Sequence, residues 1–415
     1  MAKKINKEES EFTEFGNIFS ELKGMVNKRL PGSAYLLSDE DSPTDIKAWI
    51  STGSYHLDTI ISNLPDRGGI PVGRIVQIFG LESVGKSLIA VEASINVQKM
   101  GGIAVYIDTE AATTKDRLVQ LGLDPTKLLY VCVPIVEEVF EVMDTILTGL
   151  MEKFKSKKDK PLVLITWDSV AQTSTKAEYE SEYDDQQMGS LARAISKGMR
   201  KITQLLPVAN ASMLCLNQLT AKFKLQNIYE YPWLPAGGKK LGYVSSVIIQ
   251  VDKNKKIEGE DKATIGFETT ATIIKNKVAV PARKCKFDLM FSSGIEDRQH
   301  ILTLLQEKKI INQISTQKSE LTLENGDVID FKNSNWEEIY DEHSKYIEKI
   351  TRQSLIIDTT NYKLATRTFE YDASKLPDNA TFDPETGEPT LKQVSKKEKK
   401  IKEAEQILAE EEISV

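Results

Sequence analysis

Residues 74–87, RIVQIFGLESVGKS, join an apolar run to a glycine-framed turn ending in Gly-Lys-Ser, and a helix-forming stretch follows at once. A run with no polar alternation reads as a strand buried on both faces, which belongs in a parallel sheet covered by helices. The segment Gly80, Leu81, Glu82, Ser83, Val84, Gly85, Lys86, Ser87 fits GxxxxGK[ST]. Each part has a physical reason. Gly80 and Gly85 let the backbone turn tightly, so successive N–H groups converge on an anion, and the next helix aims its positive end at the same point. Lys86 supplies a mobile cation for the β- and γ-phosphates and Ser87 a hydroxyl for Mg²⁺, so ATP and Mg²⁺ are the expected ligands.

The same alternation continues along the chain. IAVYID (103–108), LLYVCV (128–133), LVLITW (162–167), SMLCLN (212–217), VIIQVD (247–252) and TATIIK (270–275) read as strands, with helical stretches at 86–100, 136–155 and 188–206. Strand–helix alternation predicts an α/β fold with a mainly parallel central sheet. Residues 1–45 form an expected N-terminal arm in which Phe12, Phe15, Ile18, Phe19, Leu22, Met25 and Val26 recur at helical spacing, closed by Leu30-Pro31-Gly32. That stripe must bury itself on its own domain or on a neighbouring subunit. The expected core covers 46–293, a small α+β domain with a turn at Asn325-Gly326 covers 294–355, and an extension covers 356–415. The extension ends in an acidic segment that is a solvated tail or a frayed helix.

Composition excludes several classes. Cys132, Cys215 and Cys285 are widely spaced beside apolar residues, which predicts buried free thiols and neither a disulfide framework nor a zinc site. His56, His300 and His343 lie far apart, so no metal is assigned to them. No stretch approaches the roughly 18 apolar residues of a spanning helix, and the charged start MAKKINKEES lacks the apolar core of a secretory signal, so a cytoplasmic protein is expected. The net charge of −7 speaks against nucleic acid when taken whole.

Further polar residues fall where strands end. Asp168 follows LVLITW, at the carboxyl end where open α/β sheets bind ligands, and can orient Mg²⁺. Asp108 and Glu110 follow IAVYID two residues apart; either could polarise a water that attacks the γ-phosphate, and the pattern does not choose between them. Gln218 follows SMLCLN, where an amide could sense that phosphate.

Taken together, ISTGSYHLD (50–58), GGIPVGRIVQIFGLESVGKS (68–87), YIDTEAA (106–112), WDSVA (167–171), the segment 176–202, LNQLTAKF (216–223), AGGKKLGYVSS (236–246) and IIKNKVAVP (273–281) resemble, in order, the RecA family of DNA strand-exchange ATPases, bacterial RecA and the phage recombinases of the UvsX type. The resemblance implies a RecA-type core in which Glu110 is the catalytic glutamate, Asp168 the Mg²⁺-associated aspartate and Gln218 the link from γ-phosphate to DNA. It implies that Lys275 and Lys277 reach the nucleotide of an adjacent subunit. It also implies two DNA-binding loops, near 178–189 and 219–240, with Met188, Arg193 and Arg200 at the first and Gly237 and Gly238 closing the second. Lys222, Phe223 and Lys239 add the cation-and-aromatic mixture that suits a single strand. Two departures stand out: the loop at 178–187 is acidic, and Arg117 occupies the place where the family often stacks an aromatic on adenine.

The expected function is ATP-dependent homologous recombination by a helical filament of this chain on single-stranded DNA, with exchange into a homologous duplex. Single-strand-binding and loader proteins are possible partners, and no membrane is expected. A ring-forming motor such as a helicase is the alternative, and the paired DNA loops followed by Lys-Asn-Lys favour the recombinase. A small-molecule kinase would need an arginine-bearing lid and an acceptor pocket, and neither is legible. Charge then reads differently. Residues 219–286 hold 13 bases against 6 acids, while Glu403 to Glu412 holds acids alone. The acidic total therefore conceals a basic segment, for which the tail could compete with DNA.

Overall fold

The computed structural model describes residues 18–39, 42, 44–155, 160–181, 189–221, 233–357, 380–382 and 389–391. The chain divides into two units, 1–357 and 358–415. Within the second, β16 (Ala380–Phe382) and β17 (Pro389–Leu391) form an antiparallel pair, and the acidic tail lies outside the described residues.

The first unit opens with helix α1 (residues 18–29). A short pair, β1 (Trp49–Ile50) with β2 (Ile70–Pro71), flanks α2 (Tyr55–Ser62). A ten-stranded sheet dominates. Its parallel part runs β9 (Val247–Glu258), β3 (Ile75–Gly80), β7 (Ala211–Ala221), β6 (Val163–Asp168), β4 (Ile103–Asp108), β5 (Leu128–Cys132). Beyond β9 the order turns antiparallel through β10 (Thr264–Asn276), β11 (Lys284–Met290) and β12 (Gly294–Glu296), and β8 (Trp233–Pro235) pairs with the end of β7. All seven expected strands are present. The antiparallel extension was not separable from the rest, because β9 and β10 are as apolar as their parallel neighbours where they cross the core.

Period-two alternation assigns each strand's residues to two cores. Val76, Ala104, Leu164, Leu214 and Leu216 face one side, where α3 (Lys86–Lys99) contributes Ile89, Ala90 and Val97. Ile75, Val105, Ile107, Val163, Ile165 and Met213 face the other. There α5 (Val136–Lys153) presents Val136, Val139, Met143 and Leu147, and α7 (Ser190–Val208) presents Ile195, Met199, Ile202 and Leu206, both at helical spacing. Between these elements lie α4 (Lys115–Gln120), α6 (Lys176–Glu180) and α8 (Lys239–Val244). A third cluster joins α9 (Arg298–Glu307), β13 (Ile311–Gln313), β14 (Lys318–Thr322), β15 (Val328–Lys332) and α10 (Trp336–Leu355), with Gly326 in the β14–β15 turn.

One expectation is corrected. Cys215 and Cys285 are buried, but Cys132 is exposed, because β5 is the edge strand of the sheet and offers part of its side chains to solvent. The described part of the N-terminal stripe is also solvent-facing: Phe19, Leu22, Met25 and Val26 on α1 are all exposed on this chain. No described helix is long and apolar enough to cross a membrane.

Candidate nucleotide and DNA-binding site

The carboxyl ends of β3, β4, β6 and β7 converge on one cavity of about 830 Å³. Parallel register explains the convergence, since Gly80 pairs with Gln218 and Asp108 with Asp168. Gly80 ends β3, and Gly85 caps α3 with φ +91°, a left-handed conformation that glycine adopts without steric cost. A Cβ at Gly85 would stand 2.0 Å from Leu289 Cδ1, and one at Gly80 would stand 2.4 Å from the Val251 carbonyl oxygen. Both positions therefore require glycine. Lys86 is buried, and its Nζ donates to the carbonyls of Gly80 at 3.1 Å and Leu81 at 2.7 Å. Burial lowers its pKa, opposed by the negative charges of Asp168, Glu82 and Glu110.

The carboxylates separate into two kinds. Asp108 is buried and accepts from Glu110 N at 2.9 Å, Thr113 N at 3.2 Å and the Tyr130 hydroxyl. Its oxygens are committed to holding structure. Glu110 is exposed in the cavity wall, with Oε1 accepting from the Ser169 hydroxyl at 2.9 Å. Of the two carboxylates that follow β4, Glu110 faces solvent and Asp108 does not. Asp168 accepts from Tyr106 at 2.6 Å, and the Ser87 hydroxyl lies beside it. Burial pushes its carboxyl above the ordinary value, and those two hydroxyls oppose the shift. Ser87 and Asp168 are adjacent hard oxygen donors, which suits Mg²⁺.

Part of the cavity wall is apolar and aromatic. Phe267, Leu289 and Phe291 line it, the two rings meeting edge to face at 5.3 Å. Arg117 lines it too, with Nη2 donating to the Phe291 carbonyl at 2.5 Å. Phe267 and Phe291 escaped the sequence reading, because they come from the antiparallel extension, more than 150 residues from the phosphate loop. No local pattern marks them.

Lys275 and Lys277 do not line this cavity. Their Nζ atoms donate to the carbonyls of Gly242 and Tyr243 at the end of α8, at 2.6 to 3.1 Å. Among the DNA-directed residues, Arg193 and Arg200 are exposed on α7, and Lys197 completes their stripe one turn from each. Gly237 and Gly238 lie against α7, since added Cβ atoms would stand 2.7 Å from Ile195 Cδ1 and 2.8 Å from Ala192 Cβ. That contact brings exposed Lys239, the first residue of α8, to the same helix. Met188, Lys222 and Phe223 lie outside the described residues. Glu178 turns out to be a cap: with Thr175 it forms a capping box on α6, and it also accepts from Ser190. Elsewhere, a cleft of about 1100 Å³ gathers Lys255, Lys256, Arg283, Lys284 and Lys286 of the basic segment seen in the sequence, together with Lys308.

A buried parallel strand that ends in GxxxxGKS, faced by carboxylates from two neighbouring strand ends, is the architecture of the phosphate-loop nucleotide-binding proteins. Within that class the assignment is narrower. The RecA N-terminal domain matches residues 21–296, and the chain belongs to the RecA family. It is 35% identical over 271 residues to the protein RecA of Ureaplasma parvum, covering 65% of this chain and 75% of the relative. Over 246 residues it is 36% identical to the protein RecA of Sulfurimonas denitrificans, covering 59% and 67%. It is 32% identical over 282 residues to the protein RecA of Bifidobacterium breve, covering 68% and 67%.

Proposed function

We propose that this chain is a DNA-dependent ATPase that assembles on single-stranded DNA and exchanges that strand into a homologous duplex. The observation that carries the reading is the RecA-family match from residue 21 to residue 296, which spans both the phosphate loop and the DNA-directed segments. In this reading the N–H groups of residues 82–87 and the Lys86 ammonium bind the triphosphate, and Phe291 and Arg117 hold the base. Ser87 and Asp168 would hold Mg²⁺, which would supply positive charge against the triphosphate. Glu110 orients and deprotonates the attacking water, and Gln218 reports the γ-phosphate to the segment that follows β7. Lys275 and Lys277, whose Nζ atoms lie at the end of α8 and do not line the cavity of their own chain, exchange those carbonyls for the site of a second copy and stabilise charge in its transition state.

The exposed stripe of α1 is the natural contact for that second copy. Head-to-tail contacts of this kind do not need to close, and generate helical filaments. Arg193, Lys197, Arg200 and Lys239 supply sequence-tolerant phosphate contacts on the axial side. Single-strand-binding and loader proteins fit as assembly partners, and the cytoplasm of a bacterial or phage-infected cell as the setting. Strand exchange between circular single strands and linear homologous duplex, with ATP and Mg²⁺, tests the reading. Joint molecules that require ATP and homology are expected. Their absence from protein that binds both DNA and ATP would overturn it.

A further inference from the structure

Two tyrosines stand behind the site carboxylates, in a place that neither the phosphate loop nor the DNA segments explain. Tyr106 on β4 and Tyr130 on β5 are register partners, and their rings stack with centroids 6.1 Å apart and planes 11° from parallel. Tyr106 is wholly buried and donates to Asp168, whereas Tyr130, on the edge strand, donates to Asp108 Oδ2. Burial, and the Asp108 carboxylate beside it, keep the Tyr130 phenol protonated and therefore a donor.

What Asp108 holds is the backbone of the segment that bears Glu110. Its Oδ1 receives Glu110 N and its Oδ2 receives Thr113 N. Between those two anchors lies Ala111 with φ +51°, a left-handed conformation that costs an L-residue energy and persists only where its surroundings enforce it. The two Asp108 bonds bracket that residue. Tyr130 supplies the third bond to the same carboxylate, and its ring is in turn fixed against Tyr106. The chain of contacts runs from the edge strand through one buried carboxylate to the loop that aims Glu110 into the cavity.

We propose that Tyr130 is a positioning residue for ATP hydrolysis, acting through Asp108 to hold the loop that carries Glu110. This rests on the reading of Glu110 as the group that activates water. Phenylalanine at 130 preserves the stacked ring and deletes only the donor, so it isolates the hydroxyl.

The test is a double-mutant cycle on the full chain, with Tyr130→Phe, Glu110→Gln and the combined variant measured in single-turnover and steady-state ATP hydrolysis on single-stranded DNA. Tyr130→Phe should lower kcat by at least about fivefold while leaving the KM for ATP within about twofold, because the phosphate loop is untouched. In the Glu110→Gln background the same substitution should have no further effect, since the group it positions is already disabled. A Tyr130→Phe kcat closer to wild type than that, with Glu110→Gln inactive, overturns the proposal and leaves the role of Glu110 standing. Equal losses in both backgrounds also overturn it, because Tyr130 would then act elsewhere. Wild-type turnover by Glu110→Gln removes the underlying reading itself.

Discussion

The ammonium of Lys86 is the feature whose removal gives the sharpest test of the site. In the chain it rests on two carbonyls of its own loop, with Glu82, Glu110 and Asp168 as charged neighbours. Without that cation, a triphosphate entering the loop meets three carboxylates and only neutral donors. A hydrogen bond to a charged group contributes about 1.5–3 kcal/mol net, and each 1.4 kcal/mol is a factor of ten, so affinity should fall about 10- to 150-fold. Two variants separate charge from shape. Lys86→Met keeps the stem buried, and Lys86→Ala removes it as well. Calorimetric titration with a non-hydrolysable ATP analogue and Mg²⁺ should place both variants in the same weakened range. Their melting temperatures without nucleotide should stay within roughly 5 °C of wild type, because the apolar seam of α3 at Ile89, Ala90 and Val97 is unaltered. Affinity within about threefold of wild type for both variants would refute the phosphate assignment. Affinity lost in Ala but kept in Met would mean that packing of the stem, not the charge, matters.

Other consequences follow from the same geometry. Leu22→Asp puts a charge into the exposed α1 stripe, so nucleotide-dependent assembly followed by light scattering should be lost while monomer melting is unchanged; normal assembly would exclude that face as the contact. Arg193→Ala should weaken single-strand binding and lower the slope of log affinity against log salt by about 0.7, the value for one phosphate contact; an unchanged slope would take Arg193 off the DNA. Burial pushes the Asp58 carboxyl up to about 6 and the His56 imidazole down to about 4, from ordinary values of 3.8 and 6.5. The Asp58 contribution to stability is present at low pH and lost as pH rises through about 6, whereas that of His56 is present above about 6.5 and lost as pH falls towards about 4. The two slopes oppose each other in the wild type. His56→Gln should therefore expose stability that falls with rising pH, and Asp58→Asn stability that rises, in melts across that window; parallel curves for all three proteins would refute the pairing.

How much of this was legible in the sequence depends on how local each feature is. β3 and its loop were readable because strand, glycines, lysine and helix are contiguous, and chain order alone builds the cradle. The two sheet faces were readable as runs without polar alternation. The antiparallel extension was not, since pairing direction is decided by which edge remains open beside β9. Phe267 and Phe291 were lost with it. Cys132 was misjudged for the same reason: exposure on an edge strand is a property of the neighbours, not of the residue. Lys275 and Lys277 were placed by family likeness, and their positions at the end of α8 follow from no spacing rule.

Asp108 and Glu110 carry the most instructive difference. Two residues apart on a strand they would face the same way, which is why periodicity could not choose between them. The strand ends at Asp108, and Ala111, three residues on, enters the left-handed region. The turn converts one carboxylate into the scaffold of the other: Asp108 folds back onto the N–H groups of Glu110 and Thr113, and Glu110 is left facing the cavity. A sequence in which both positions are acidic hides that division of labour, because the selecting element is a backbone dihedral and a hydroxyl from the edge strand.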